Sequence, residues 1–111
     1  MTADDFRRIA LRLQGAVESA HMGHPDFRAN GKIFATLHAD KRAGMVKLTP
    51  DQQQEMIRNN PRIFSPESGA WGRAGSTQVH LEVADEESVG NAMTLAWQNI
   101  TNKTKRPLSR K

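Results

Sequence analysis

Between residues 16 and 48 the chain alternates short strand-like runs with turn chemistry so closely that few folds can accommodate it. The runs cover 16–22, 26–29, 32–38 and 45–48, and they are separated by "GHPD", by Asn30-Gly31 and by "ADKRAG". Asn-Gly supplies the positive backbone angles of a tight hairpin, and the other two segments are rich in turn formers. A parallel crossover needs a dozen residues or more, which these gaps do not have. An antiparallel meander is expected.

Helical signals flank the meander. Before it, Thr2 is placed to cap a helix over 3–14, with Asp4 and Asp5 at its positive end. Phe6, Ile9, Ala10 and Leu13 recur on one face, Arg7, Arg8 and Arg12 lie off it, and Gly15 ends it. After it, "TPDQQQEMIRNNP" has Thr49 as cap, Pro50 in the first turn and Gln52 in capping-box register, with Met56 and Ile57 turned inward and Pro61 closing the segment. Two further strands, 62–65 and 77–83, bracket "SPESGAWGRAGS" as a hairpin. In the second of them Thr77, Val79, Leu81 and Val83 alternate with Gln78, His80 and Glu82, the pattern of a half-buried strand. Asp85 caps a last helix with Val89, Ala92, Met93, Ala96, Trp97 and Ile100 on one stripe. The order α-β(3–4)-α-β(2–3)-α implies an α+β two-layer sandwich, its antiparallel sheet covered on one face by helices.

A chain of 111 residues supports one domain, read here as 1–101, followed by a basic tail over 102–111 that is expected to be disordered. There is no cysteine, so disulfides, thiolate catalysis and cysteine-held zinc are excluded. Charges interrupt any candidate leader at the N-terminus and no apolar run reaches membrane-spanning length, so a cytoplasmic protein is expected. The net charge of +4 is unevenly placed. Lys103, Lys105, Arg106, Arg110 and Lys111 stand in the tail, which leaves 11 bases in the body against all 12 acids. The body lacks the overall basic excess of a typical DNA-binding module.

Candidate reactive groups are sparse. His21 and His24 are three apart across a strand end, a spacing that points side chains to opposite faces of an extended strand. With His38 and His80 they make no ligand set of recognisable spacing, and no metal site or cofactor is expected. The serines stand in no G-x-S-x-G elbow, and "GAWGRAGST" lacks the Lys-Ser/Thr ending of a phosphate loop. No set of nucleophile, base and acid is identifiable, so the chain is expected not to be an enzyme. Trp71 reads as the cover of a core edge. Phe27, Ile33, Ala35 and Leu37 read as core, while His80, His38, Trp71 and Phe34 are candidates for a ligand-receiving sheet face.

Five pieces together resemble a known family: "LRLQGAVES", "HMGHPDFRANGKIFATL", "VKLTPDQQ", "WGRAGSTQVHL" and a late "AW". In order and spacing they are similar to the MmcQ/YjbR-like small bacterial proteins. The resemblance implies a frataxin-like, secretion-chaperone-like sandwich and DNA binding through a double wing of hairpins. Where that family commonly carries a tryptophan after the last glycine of the hairpin, this chain has Ser76. Frataxin-like iron chemistry is not expected, because clustered carboxylates are missing.

Two functional expectations follow. One is DNA binding without catalysis, with Lys32 and Arg73 on hairpins and Lys103, Lys105 and Arg106 in the tail as phosphate contacts; Arg28, Lys41, Arg42 and Lys47 are able to extend that footprint. The other is a protein- or small-ligand-interaction domain whose groove is bordered by His24, Trp71 and His80. A monomer without cofactors is expected in either case.

Overall fold

Both early helices start at reciprocal capping boxes. The Thr2 hydroxyl accepts from Asp5 N–H at 3.0 Å while Asp5 Oδ2 accepts from Thr2 N–H at 3.0 Å, which opens α1 (Ala3–Leu11). The same exchange between Thr49 and Gln52 opens α2 (Pro50–Asn59), with Pro50 in the first turn. α1 is shorter than the apolar pattern suggests: Arg12 caps it, and Gly15, at φ +75°, leads the chain into the sheet.

The computed structural model describes residues 1–40 and 42–101. Lys41 and the basic tail with Lys103, Lys105 and Arg106 lie outside the described residues. The strands are β1 (Val17–His21), β2 (His24–Ala29), β3 (Lys32–Leu37), β4 (Ala43–Lys47), β5 (Phe64–Pro66) and β6 (Ser76–His80). They form one antiparallel sheet in the order β1-β2-β3-β4-β6-β5. The meander is therefore β1 to β4, and β6 returns to pair with β4. The closing helix α4 (Glu86–Thr101) is capped by Asp85, whose Oδ1 accepts from Ser88 N–H at 2.7 Å.

Helices α1 and α4 cover one face of the sheet. Phe6, Ile9 and Ala10 of α1 and Val89, Ala92, Met93 and Ala96 of α4 join Phe27, Ala35, Leu37, Val46, Phe64 and Val79 in a single buried cluster. Phe6 meets Phe27 edge-on with ring centroids 6.1 Å apart. Room for that ring comes from Gly44, where a Cβ would stand 2.6 Å from the Phe6 ring.

Three local expectations are corrected by the fold. Phe27 faces Ala35 but Arg28 faces Ile33, so Phe34 is the extra residue of a β-bulge. Phe34 is consequently fully buried, and Ile33, expected in the core, turns to the opposite face of the sheet. The strand expected over 77–83 stops at His80, because the β4 partner row ends at Ala43↔His80; Leu81–Val83 form a 3₁₀ turn that leaves Val83 exposed. The segment between β5 and β6 is no open hairpin tip either, since it contains a short helix, α3 (Gly69–Arg73). Gly72 leans directly on the Glu67 carbonyl, which a Cβ would meet at 1.7 Å. The buried Gln53 amide of α2 fastens this segment by donating to Gly72 O and Ser76 O, both at 3.0 Å.

Candidate functional site: a cleft on the open sheet face

Across-strand register decides what the second face of the sheet carries. Residues directly opposite one another share a face. From His21↔His24, Ser19↔Asp26, Asp26↔Thr36, Thr36↔Met45 and Lys47↔Ser76, the side of the sheet away from α1 and α4 presents His21, His24, Asp26, Thr36, Met45, Lys47 and Ser76. On this side lies a cleft of about 310 Å³. Its floor is Ile33, Thr36 and Met45; the β1–β2 turn supplies His21 and His24, and Glu67, Ser68 and Trp71 of the α3 segment line it together with Lys47 and Ser76.

The histidines at this cleft are not separated as the spacing suggests. The β1–β2 connection is a two-residue turn at Met22 (φ 50°) and Gly23 (φ 86°), both positive as in a type I′ hairpin. His21 and His24 thus become opposed partners, and their rings meet edge-on at 4.7 Å between centroids. Pro25, expected to turn the chain, lies inside β2 opposite Ala20. That pair follows the hydrogen-bonded pair flanking a two-residue turn, so it is a non-hydrogen-bonded one and the missing N–H of proline costs this ladder nothing.

Beneath His21 is a fully buried carboxylate, Asp26. Arg28 donates to it from Nε at 2.8 Å and from Nη2 at 3.1 Å, and His21 Nδ1 lies 2.7 Å from Oδ2. The Arg28 hydrogen bond holds the Asp26 carboxyl below the usual carboxylate range against the opposing effect of burial, and His21 acts in the same direction as Arg28. An ionised carboxylate only accepts, so the proton between the two belongs to His21 Nδ1. In the neutral imidazole, Nε2 is then a bare acceptor. No protein group among the described residues bonds to that nitrogen, and it is not buried. By contrast His24 Nδ1 is buried without a hydrogen-bond partner among the described residues.

The remaining charges near the cleft differ in how they are engaged. Glu67 Oε2 accepts from His38 Nε2 at 2.9 Å. Lys47 is exposed, and among the described residues its ammonium makes neither an ion pair nor a side-chain hydrogen bond. Trp71, expected over a core edge, instead leaves 70% of its surface in solvent, because α3 stands on the open side of the sheet.

Of the groove residues expected from sequence, His24 and Trp71 therefore come together at the cleft. His80 shares the sheet face but does not line it; its Nε2 is hydrogen-bonded to Ser65 Oγ at 2.8 Å. Lys32, just after the Asn30-Gly31 turn, and Arg73, in the last turn of α3, are both exposed and lie outside the cleft. Sequence reasoning misses Asp26 and Glu67 as site residues and gives Lys47 only as part of a phosphate footprint. The Asp26-x-Arg28 spacing is a usable signal, since residues two apart on a strand share a face. Among the described residues no group of three or more His, Asp or Glu side chains is arranged to hold a metal ion. No helix among them is long and apolar enough to cross a membrane.

Comparison with known proteins places this architecture. No curated protein matches the chain. The crystal structure of Deinococcus radiodurans protein DR2400, described as carrying a DUF419 domain, is similar in fold with a TM-score of 0.76 and 18% sequence identity, covering 98% of this chain and 85% of that one. At that identity the likeness concerns the fold alone. The YjbR family model matches residues 11–99, from the end of α1 to the end of α4 and including every residue of the cleft. By that match, the chain belongs to the YjbR family.

Proposed function

We propose that the protein is a non-catalytic binding domain for a small organic molecule, with the cleft on the open sheet face as its site. The supporting observation is the cleft itself: its volume falls at the lower end of small-molecule sites, and an apolar floor is combined with a few convergent polar groups and an exposed indole. A screen of small aromatic and aliphatic fragments by two-dimensional amide NMR on the full chain tests it. Shifts confined to Ile33, Thr36, Met45, Ser68 and Trp71 are expected, and they should vanish in Trp71→Ala. A screen in which no fragment moves these residues would end this reading.

DNA binding is the second reading, favoured by Lys32 and Arg73, which are exposed and without ion-pair partners among the described residues. Against it stand the arginines already engaged by acids: Arg7 with Asp4 and Glu18, Arg8 with Asp5, Arg12 with Glu86, and Arg28 with Asp26. Duplex titrations of the full chain should separate the two. Binding that survives replacement of Lys103, Lys105 and Arg106 by Gln but is lost in Lys32→Glu/Arg73→Glu would favour the DNA reading; loss on replacing the tail bases alone would reduce it to non-specific attraction.

A further inference from the structure

We infer that the cleft selects a planar aromatic anion, of the class of aromatic carboxylates, that also carries a hydroxyl or N–H donor toward His21. This inference rests on the small-molecule reading above and narrows it to a ligand chemistry.

Each part of that class answers a group left open by the protein. Charge comes first. Glu67 is bonded through Oε2 to His38 at 2.9 Å, and Asp26 is held by both Arg28 and His21, so each acid already has a protein partner. Lys47 is the remaining charged side chain of the lining, and its ammonium has no protein partner among the described residues. The charge complement of the cleft is therefore an anion, and a carboxylate meets an ammonium with a charge-assisted hydrogen bond.

Shape comes second. Trp71 exposes 70% of its surface at the rim, and among the described residues no hydrogen bond occupies its Nε1. Ile33 and Met45 give an apolar floor on the sheet. A planar ring uses both surfaces, through stacking on the indole and through contact with the methionine sulfur.

Polarity at the far end comes third. His21 donates its Nδ1–H to a carboxylate with no solvent exposure, so the neutral ring is held in one tautomer and presents Nε2 as an acceptor. An acceptor at a binding site is satisfied by a ligand donor. His21 stands on β1 and Lys47 on β4, three strand spacings away, so the two groups address opposite ends of a ligand rather than one atom of it.

The test uses the full chain and 4-hydroxybenzoate as probe, with binding followed by amide and indole NMR shifts. Three analogues each remove one feature: 4-hydroxybenzamide removes the charge, benzoate the donor, and 4-hydroxycyclohexanecarboxylate the planarity. The probe should shift Ile33, Thr36, Met45 and the Trp71 indole N–H, and the amide should bind about tenfold more weakly, the scale of one charge-assisted bond. Lys47→Met should cause the same loss with unchanged thermal unfolding, as Lys47 is exposed. Loss of benzoate's disadvantage in His21→Phe would tie the donor preference to His21. Equal binding of the amide and the acid, or tighter binding of 4-hydroxybenzylamine at the same residues, overturns the ligand class while the cleft stands as a site. If none of these compounds nor any screened fragment moves cleft residues, the ligand class and the small-molecule reading fall together.

Discussion

Replacing Arg28 by Met should destabilise the protein by about 3 kcal/mol at neutral pH. The change keeps an unbranched stem of similar length and removes both guanidinium bonds to Asp26, at 2.8 and 3.1 Å. What remains is a carboxylate with no solvent exposure and a single donor, His21. Removing one partner from a buried ion pair typically costs about 3–5 kcal/mol. The lower end applies here, because the Arg28 side chain itself is 36% exposed and part of its attraction is already screened by water. For a domain of this size such a loss lowers the melting temperature by roughly 10–20 °C. The pH dependence carries the sharper test. Asp26 has a lowered folded-state pKa in the native chain, owing first to Arg28, so its contribution is complete above the usual carboxylate range and disappears as pH falls below it. In Arg28→Met the principal cause of that lowering is gone while burial still favours the neutral acid. The gap between native and variant should therefore be widest near pH 7, begin to narrow as pH falls into the carboxylate range where the variant's carboxyl protonates, and close only below the lowered pKa of native Asp26. Urea unfolding of the two proteins across that range measures it. A gap below about 0.5 kcal/mol at pH 7, or one that does not change with pH, would refute the account of Asp26 as a buried carboxylate held ionised by Arg28.

Packing and capping supply further tests. Gly44→Ala should cost about 1–3 kcal/mol in urea unfolding, because its Cβ would stand 2.6 Å from the fully buried Phe6 ring; adding Phe6→Leu should recover part of that loss. Thr49→Ala should cost about 1 kcal/mol, read as a lower denaturation midpoint with an unchanged slope. Gly72→Ala should displace α3 from the Glu67 carbonyl, because the new Cβ would fall 1.7 Å from that oxygen, and should abolish probe-induced shifts at Trp71. Trp71→Ala should change stability by no more than about 0.5 kcal/mol, in keeping with its exposure.

Local rules make most of the architecture legible. Thr2 and Thr49 announce their capping boxes, Asn30-Gly31 its hairpin, Asp85 its helix, and the alternation through Thr77 and Val79 its half-buried strand. Where sequence reading fails, the cause is a residue used against its propensity. Met22 adopts a φ of 50°, which an unbranched non-glycine residue seldom does, so turn chemistry points to His24-Pro25 instead and hides the contact of His21 with His24. "GAWGR" contains two glycines and has no side-chain cap, yet it is helical because Gly72 packs on Glu67 and Gln53 holds its end. The bulge at Phe34 reverses the alternation of β3, which a strict period of two cannot anticipate. These departures concentrate around the cleft, so its residues are harder to read than the core.

The strand order β1-β2-β3-β4-β6-β5 has a kinetic consequence. β1 to β4 are joined by short connections, whereas β6 reaches β4 only after residues 48–75, a closure costing about 2 kcal/mol more than a two-residue turn on logarithmic scaling. The meander should therefore assemble first and β6 dock late. The cleft straddles that seam: His21, His24, Ile33, Thr36, Met45 and Lys47 belong to the early part, and Glu67, Ser68, Trp71 and Ser76 to the late one. A molecule seated there clamps the two together only after docking, so it should leave the refolding rate nearly untouched and lengthen the lifetime of the native state.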